Sequence, residues 1–553
     1  YTWKNSTFEA PAMGSLVVYE TLLRDFLAAH DWKTLTDTLG YFQRLGVSAI
    51  ELMPFSEFEG NESWGYNPSF YFAPDKYYGP KNDLKRFIDS CHSRGIAVIQ
   101  DMVLNHSMGQ SPLAILYWDN ANNRPAADNP WYNATSPNTA YSWGSDFNHE
   151  SAATKAFVSR VVSYWLDEYK VDGFRFDFTK GFTNTVGDGW AYDASRISIL
   201  KRIADTIWQH NPQAYVILEH FTDNAEETVL TNYGMAVWGN LNYAYGQASM
   251  GFNSGWDLTW ISYKYRGFNN PNLVGYMESH DEERQMYRNL NWGNSSGDYN
   301  IRDLATALSR VELTSTFFIP IPGPKMIWQF GEMGYDYSID YNDRVGNKPI
   351  RWDYLDVMSR ERLFLTFAAL NKLKTTEPAF SSTEYFTDLA NKVKLISIND
   401  EDMDVRIVGN FDVVSNTGVV NFSRTGTWYD YFSGEMMNVS QTNTTFTLAP
   451  GEYHIFTTKA LETPDRPNSI RPVNAGQESL LVYPNPASDL LMVETGGKEG
   501  SLCLFNMNGQ KVLEQMARDF SGQLRIGSLS PGAYLLIFTD RDGGRSFARV
   551  MKQ

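Results

Sequence analysis

Along the first 375 residues or so, short apolar runs alternate with longer stretches whose apolar positions recur every three to four residues. The first pattern is that of a buried strand, the second that of a helix with one core-facing side. Strands are predicted at Leu16–Glu20, Ala49–Met53, Ala97–Val103, Gly173–Asp177 and Tyr215–Glu219, with further ones at Met235–Trp238, Leu273–Met277 and Met326–Phe330. Helices are predicted at Trp32–Leu45, Asp83–Arg94, Ala152–Tyr169 and Ser195–His210, with Gly46, Gly95 and Pro212 as stops. Eight such units over roughly 350 residues predict an α/β fold, a (β/α)8 TIM barrel. The third connection, residues 107–150, is long and rich in Trp, Asn and Pro, and reads as a small inserted subdomain.

After residue 378 the period changes. Short alternating strands at Val393–Ile398, Val405–Phe411, Gly418–Phe422 and Glu452–Thr457 predict an all-β sandwich over 379–458. Residues 459–476, with Thr463-Pro464-Asp465-Arg466-Pro467, read as a linker, and 477–553 as a second all-β sandwich.

Composition narrows the partners. The 553 residues carry 47 Lys and Arg against 64 Asp and Glu, a net charge of −17, which argues against a nucleic acid and leaves neutral ligands open. No run of about 18 apolar residues occurs, so no membrane span is expected. Cys91 and Cys503 are the only cysteines, which speaks against a disulfide framework or a thiolate metal site.

In a (β/α)8 barrel, chemistry gathers at the C-terminal ends of the strands. Here those ends offer Asp101-Met-Val-Leu-Asn105-His106, Arg175-Phe-Asp177 with Lys180 beyond, Glu219-His220, and Glu278-Ser-His280-Asp281-Glu282. Arg175 and Asp177 are two residues apart and so share a face of their strand. An R-x-D alone reads more readily as a structural ion pair, and His106 or His280 alone as a core histidine. Their convergence on one mouth, from different strands, favours catalysis.

The segments DMVLNH, GFRFDFTK, ILEHF and MESHDE resemble, in order and on the matching strands, the four signature regions of the α-amylase family of glycoside hydrolases. The resemblance covers residues 14–460. It implies Asp177 as nucleophile, Glu219 as acid/base and Asp281 as the third carboxylate. It also implies Tyr66, within SWGYNPSF, as a sugar-stacking ring, His106, Arg175 and His280 as sugar-site residues, and Lys180 as a contact on the leaving-group side. The expected charge states are an Asp177 held ionised by Arg175 and a Glu219 kept protonated by burial. No cofactor is implied for the chemistry. Asn105 and Asp146 match ligand positions of a structural Ca2+, but Gly181 stands where many members have a histidine whose backbone holds that ion.

The implied activity is retaining cleavage of internal α-1,4 bonds in starch-like glucans. A glucan branching enzyme on the same scaffold is the alternative, and a non-catalytic glucan-binding surface protein the third reading. The tail motif Val482-Tyr483-Pro484-Asn485-Pro486-Ala487-Ser488-Asp489 resembles the sorting domain of proteins exported by type IX secretion. It implies a secreted or surface-attached protein that meets the secretion machinery.

Overall fold

A computed structural model describes residues 1–464, 466, 480–483, 485–495, 498–506, 510–517, 521–541 and 545–553. Most of the expected linker, including Asp465 and Pro467, and Pro484 of the tail motif lie outside the described residues. The chain divides into two compact units, Tyr1–Pro467 and Asn468–Gln553.

Eight parallel strands close into a barrel: β1 (Val17–Thr21), β2 (Ala49–Leu52), β3 (Ala97–Met102), β4 (Gly173–Phe176), β5 (Tyr215–Leu218), β6 (Ala236–Asn240), β7 (Leu273–Tyr276) and β8 (Lys325–Trp328). Neighbours run in sequence order, and β1 pairs with both β2 and β8. Strand alternation sorts the side chains. Leu16, Val18, Ala49, Ala97, Ile99, Tyr215, Ile217, Ala236, Trp238, Val274, Tyr276 and Met326 form one buried apolar cluster inside the barrel. Glu20, Glu51, Asp101, Arg175 and Glu219 continue the same inward parity, one step nearer the C-terminal mouth. The polar rim is therefore the next storey of an apolar column.

Two expected helices are interrupted. Trp32–Leu45 forms two pieces, Trp32–Asp37 and Leu39–Leu45, with Asp31 capping the first through Thr34 N and Gly46 closing the second at φ 76°. The helix beginning at Ala152 ends at Tyr164 and continues as a wider turn, Trp165–Tyr169, before Lys170 at φ 55°. The inserted segment 107–150 is held by short pairings, His106–Ser107 against Ser145–Asp146 and Trp118–Asp119 against Arg124–Pro125.

In the same unit the barrel is followed by β9 (Tyr385–Asp388), β10 (Val393–Ile398), β11 (Val405–Asn410), β12 (Asn416–Asn421), β13 (Gly426–Asp430), β14 (Met436–Val439), β15 (Asn443–Leu448) and β16 (Tyr453–Thr457). They form a six-stranded sheet, β9-β10-β11-β16-β13-β14, and the pair β12-β15. Phe422, Trp428, Val408, Leu448 and Phe456 fill the space between them. Ile396, Ile398, Val405 and Ile407 instead join the cluster outside the barrel strands, so this sandwich is packed onto the barrel.

The second unit holds β17 (Leu481–Tyr483), β18 (Leu490–Glu494), β19 (Gly500–Asn506), β20 (Lys511–Ala517), β21 (Ser521–Arg525), β22 (Gly532–Asp540) and β23 (Arg545–Lys552). Its sheets are β17-β18-β21 and β20-β19-β22-β23, around Leu491, Leu502, Leu504, Leu536 and Val550. Asn485 ties the motif to the last strand, donating to Arg549 O and accepting from Met551 N, both at 2.8 Å.

Candidate active site

Arg175 is the hub of the mouth. Its Nη1 donates to both oxygens of Asp101 at 2.8 Å and reaches Asp177 Oδ1 only at 3.4 Å, while Nη2 donates to Glu219 Oε2 at 2.8 Å. The register places Arg175 beside Asp101 on β3 and Ile217 on β5, which is why it can bridge both neighbours. Its guanidinium lies 3.9 Å over the Trp238 ring, and 1% of its side chain is exposed.

Asp177 and Glu219 follow β4 and β5. Asp177 N donates to Met102 O and Glu219 N to Phe176 O, continuing the barrel ladder past the strand ends. Phe178 then adopts the left-handed region at φ 46°, and its N–H donates to Glu219 Oε2 at 3.1 Å. Burial pushes Asp177 well above the usual carboxylate range, the Glu219 charge adds to this, and Arg175 opposes it. The expectation of an Asp177 held ionised by Arg175 is thus corrected, because burial outweighs the arginine. The arginine gives its short contacts to Asp101 and Glu219, and Glu219 Oε2 is the oxygen that receives two N–H donors.

The remaining site residues fall into two groups. Tyr66, half-buried, donates its hydroxyl to Asp101 Oδ2 at 2.6 Å and stacks on His280 at 5.1 Å and 29°. Gly65 allows this, since at φ +93° a β-carbon would stand 2.1 Å from Pro54 O. His280 Nδ1 donates to Glu20 Oε1 at 2.6 Å, and its backbone N–H to Glu20 Oε2. Burial alone would lower the imidazole, but Glu20 outweighs it and leaves His280 raised to about 9, a cation at neutral pH. His106 is instead held neutral, lowered by burial. Its Nε2 donates to Tyr66 O at 2.9 Å, so its ring N–H fixes the Tyr66 loop and is not free for a sugar. Asp281 is engaged by a residue outside the pair. Its side chain is 51% exposed and accepts from Arg344 Nη2 at 2.8 Å. Lys180 is buried, with Nζ 3.9 Å from the Trp190 centroid. Burial lowers it while the Glu219 charge opposes.

Sequence reasoning missed Glu20 and Glu51. Both are fully buried, each a lone carboxyl in an apolar strand, and only the inward parity of β1 and β2 marks them. Both Glu51 oxygens lack a hydrogen-bond partner. Burial and the Glu20 charge hold Glu51 well above the carboxylate range, so it is a neutral acid beneath the site.

The Ca2+ positions do not assemble an ion site. Calcium takes about six to eight oxygens. Both Asp146 oxygens already accept hydrogen bonds at 2.9 Å, from Ser136 Oγ and Asn133 Nδ2, and burial raises this carboxyl to about 6. Asn133 passes the chain to Asn184 Oδ1, and Asn184 to Asn148 Oδ1. Asn105 Oδ1 is buried and unpaired, but a β-carbon on Gly181 would stand 2.0 Å from it. Asn105 thus occupies the space a histidine at 181 would need. Among the described residues, no group of three or more His, Cys, Asp or Glu is placed to hold a metal.

A closed parallel barrel whose mouth gathers two carboxyls around one arginine is an arrangement that enzymes of glycosidic bonds use. The comparisons agree. The family profile described as "Alpha amylase, catalytic domain" matches residues 24–143, and "Secretion system C-terminal sorting domain" matches 481–553. A malto-oligosyltrehalose trehalohydrolase of Saccharolobus solfataricus is 28% identical over 38% of this chain and 34% of its own length. A 1,4-alpha-glucan branching enzyme of Salinibacter ruber is 25% identical over 79% of this chain and 73% of its own. The chain thus spans about a third to three fifths of the first curated relatives it matches. In structure, an Anoxybacillus alpha-amylase superposes with a TM-score of 0.65 at 16% identity, covering 81% of this chain and 98% of that one. A Bacillus subtilis pullulanase type I gives 0.65 at 19%, covering 83% and 72%. Residues 24–143 are thus similar to the catalytic domain of the α-amylase family, and the tail marks the chain for export by type IX secretion. Among the described residues, no helix is long and apolar enough to cross a membrane.

Proposed function

We propose that this enzyme cleaves internal α-1,4 bonds of starch-like glucans with retention, through a covalent glycosyl ester on Asp177. The observation that carries this reading is that Asp177 and Glu219 follow adjacent barrel strands and both face the Arg175 guanidinium, at 3.4 Å and 2.8 Å. Two carboxyls that share one guanidinium suit the close pair of a retaining enzyme, about 5–5.5 Å apart, better than the wider pair of an inverting one, about 6.5–9.5 Å.

In the first step the Asp177 carboxylate attacks the anomeric carbon, and Glu219 gives its proton to the departing glycosidic oxygen. In the second, Glu219 takes a proton from water, whose oxygen attacks the same carbon and releases Asp177. Asp281 must leave Arg344 to reach sugar hydroxyls. The export tail favours hydrolysis, since an external enzyme meets polymeric glucan. The branching reading is favoured by the relative with the broadest coverage cited above.

Amylose digestion with two readouts tests the proposal. New reducing ends without new α-1,6 branches are expected. Branches without reducing ends would replace it with the transferase.

A further inference from the structure

We propose that Glu20, at the end of β1, is a positioning residue of the reaction: it fixes the His280 ring and turns the ring nitrogen that faces the mouth into a hydrogen-bond donor for a sugar hydroxyl. This role rests on the glucan-cleaving reading of the mouth. Glu20 is fully buried and lies in register with Glu51 on β2 and Trp328 on β8. Its two oxygens take two N–H groups of His280, Nδ1 at 2.6 Å and the backbone N–H at 3.1 Å. The contact joins residues 260 positions apart, so it ties the first barrel strand to the loop after β7. Four rings box the imidazole. Tyr66 stacks on it at 5.1 Å and 29°, Trp64 meets it edge-on at 5.2 Å, and Trp238 and Trp328 lie at 6.1 Å and 6.3 Å. Held at its base and by its neighbours, the ring keeps one orientation.

The other ring nitrogen is left for the mouth. Among the described residues Nε2 has no hydrogen-bond partner, yet it is not sealed off, and 7% of the side chain stays exposed. Whether this nitrogen gives or takes a hydrogen bond depends on the charge of the ring. A neutral imidazole that donates from Nδ1 to Glu20 presents Nε2 as an acceptor, whereas an imidazolium carries an N–H at both positions. Glu20 decides between the two. Burial disfavours the cation and Arg175 opposes it, while Glu20 and, after it, Asp281 favour it and leave the ring charged at neutral pH. Asp101 and Glu282 also feel the charge of the ring. Glu51, next to Glu20 on β2, is held neutral and adds no second charge beneath it. A charged donor grips a hydroxyl oxygen more firmly than a neutral one, and it leaves the hydroxyl's own proton for an acceptor such as Asp281. Glu20 thus acts on the sugar without touching it.

The test is the pH profile of kcat/KM on maltoheptaose for wild type and Glu20→Gln, whose amide oxygen still accepts from Nδ1 but carries no charge. The loss in the variant should be smallest at about pH 5 and grow to about tenfold or more by about pH 8, because the ring sheds its second proton earlier without the Glu20 charge. Glu20→Asp, which keeps the charge, should recover most of the loss at the upper end. An unchanged variant, or an equal loss at every pH, would overturn the proposal, since a Glu20 that only supports the fold costs the same throughout. If Glu20→Gln does not fold, the ring is read in the wild type. Its NMR signal, identified by its absence from His280→Gln, should titrate at about pH 9, and a ring already neutral at about pH 8 would overturn the proposal. A wild type inert toward maltoheptaose would overturn the glucan-cleaving reading and this role with it. An active wild type indifferent to Glu20→Gln would remove the role alone.

Discussion

Arg175 Nη2 lies 2.8 Å from Glu219 Oε2, while the same guanidinium comes no nearer than 3.4 Å to Asp177. The arginine serves the Glu219 side of the pair and, through Asp101, the floor beneath it. Arg175→Lys keeps the charge but loses the fork, and kcat should fall about 10²–10³-fold with the barrel still folded. Arg175→Ala leaves buried Asp101 unpaired at a cost of about 3–5 kcal/mol, and its melting midpoint should drop sharply. A lysine variant with wild-type kcat would remove Arg175 from the reaction.

Asp177→Asn should leave the melting curve intact and lower starch turnover by about 10⁴-fold or more. Wild-type activity in this variant would sink the nucleophile assignment.

Glu219→Gln is informative on α-maltotriosyl fluoride, which needs no proton donor. The Glu219 charge helps to raise Asp177, so its removal lets Asp177 ionise at lower pH. The acidic limb of the fluoride pH profile should therefore move down. A limb that stays in place would show that Asp177 is raised by burial alone.

His280 supplies a pH dependence of stability. Its folded pKa is raised from 6.5 to about 9, so its contribution is fully present below 6.5 and is lost as pH rises through about 9. The melting gap between wild type and His280→Gln should be widest near pH 6 and shrink toward pH 9.5. A constant gap would mean that the Glu20–His280 contact is packing rather than an ion pair.

Chelation should leave this enzyme unmoved. Asp146 is already satisfied by Ser136 and Asn133. EDTA dialysis should change neither the melting midpoint nor turnover, whereas Asn133→Ala should lower the midpoint. A chelator-sensitive melt restored by Ca2+ would show that the Asn105 corner opens to admit the ion.

A chain ending at Pro467 should keep the activity of the full chain, because barrel and first sandwich form one unit without the tail. Loss of turnover with an intact barrel melt would give the tail a role beyond sorting.

The barrel was legible because its strands are short apolar runs between helical periods, and the mouth because its motifs sit at strand ends. The charge states were not. Asp177 and Arg175 share a strand face, as spacing predicts, but Asp101, 74 residues earlier in the chain, takes two of the arginine's short contacts. Asp281 likewise belongs to MESHDE by sequence and to Arg344, 63 residues on, by contact. Glu20 and Glu51 left no local signal beyond one polar letter in an apolar strand. Gly181 was readable as a departure from the family pattern, while its reason, the Asn105 side chain standing in the vacated space, is tertiary.

The apolar column inside the barrel has a kinetic consequence. With Leu16, Val18, Ile99, Ile217 and Tyr276 filling it, nothing can approach Asp177 from below. On the proposed mechanism, outgoing glucan and incoming water must use the same doorway, one after the other. Turnover then depends on how long the departing chain lingers there, and an acceptor sugar that arrives before water finds the intermediate still waiting.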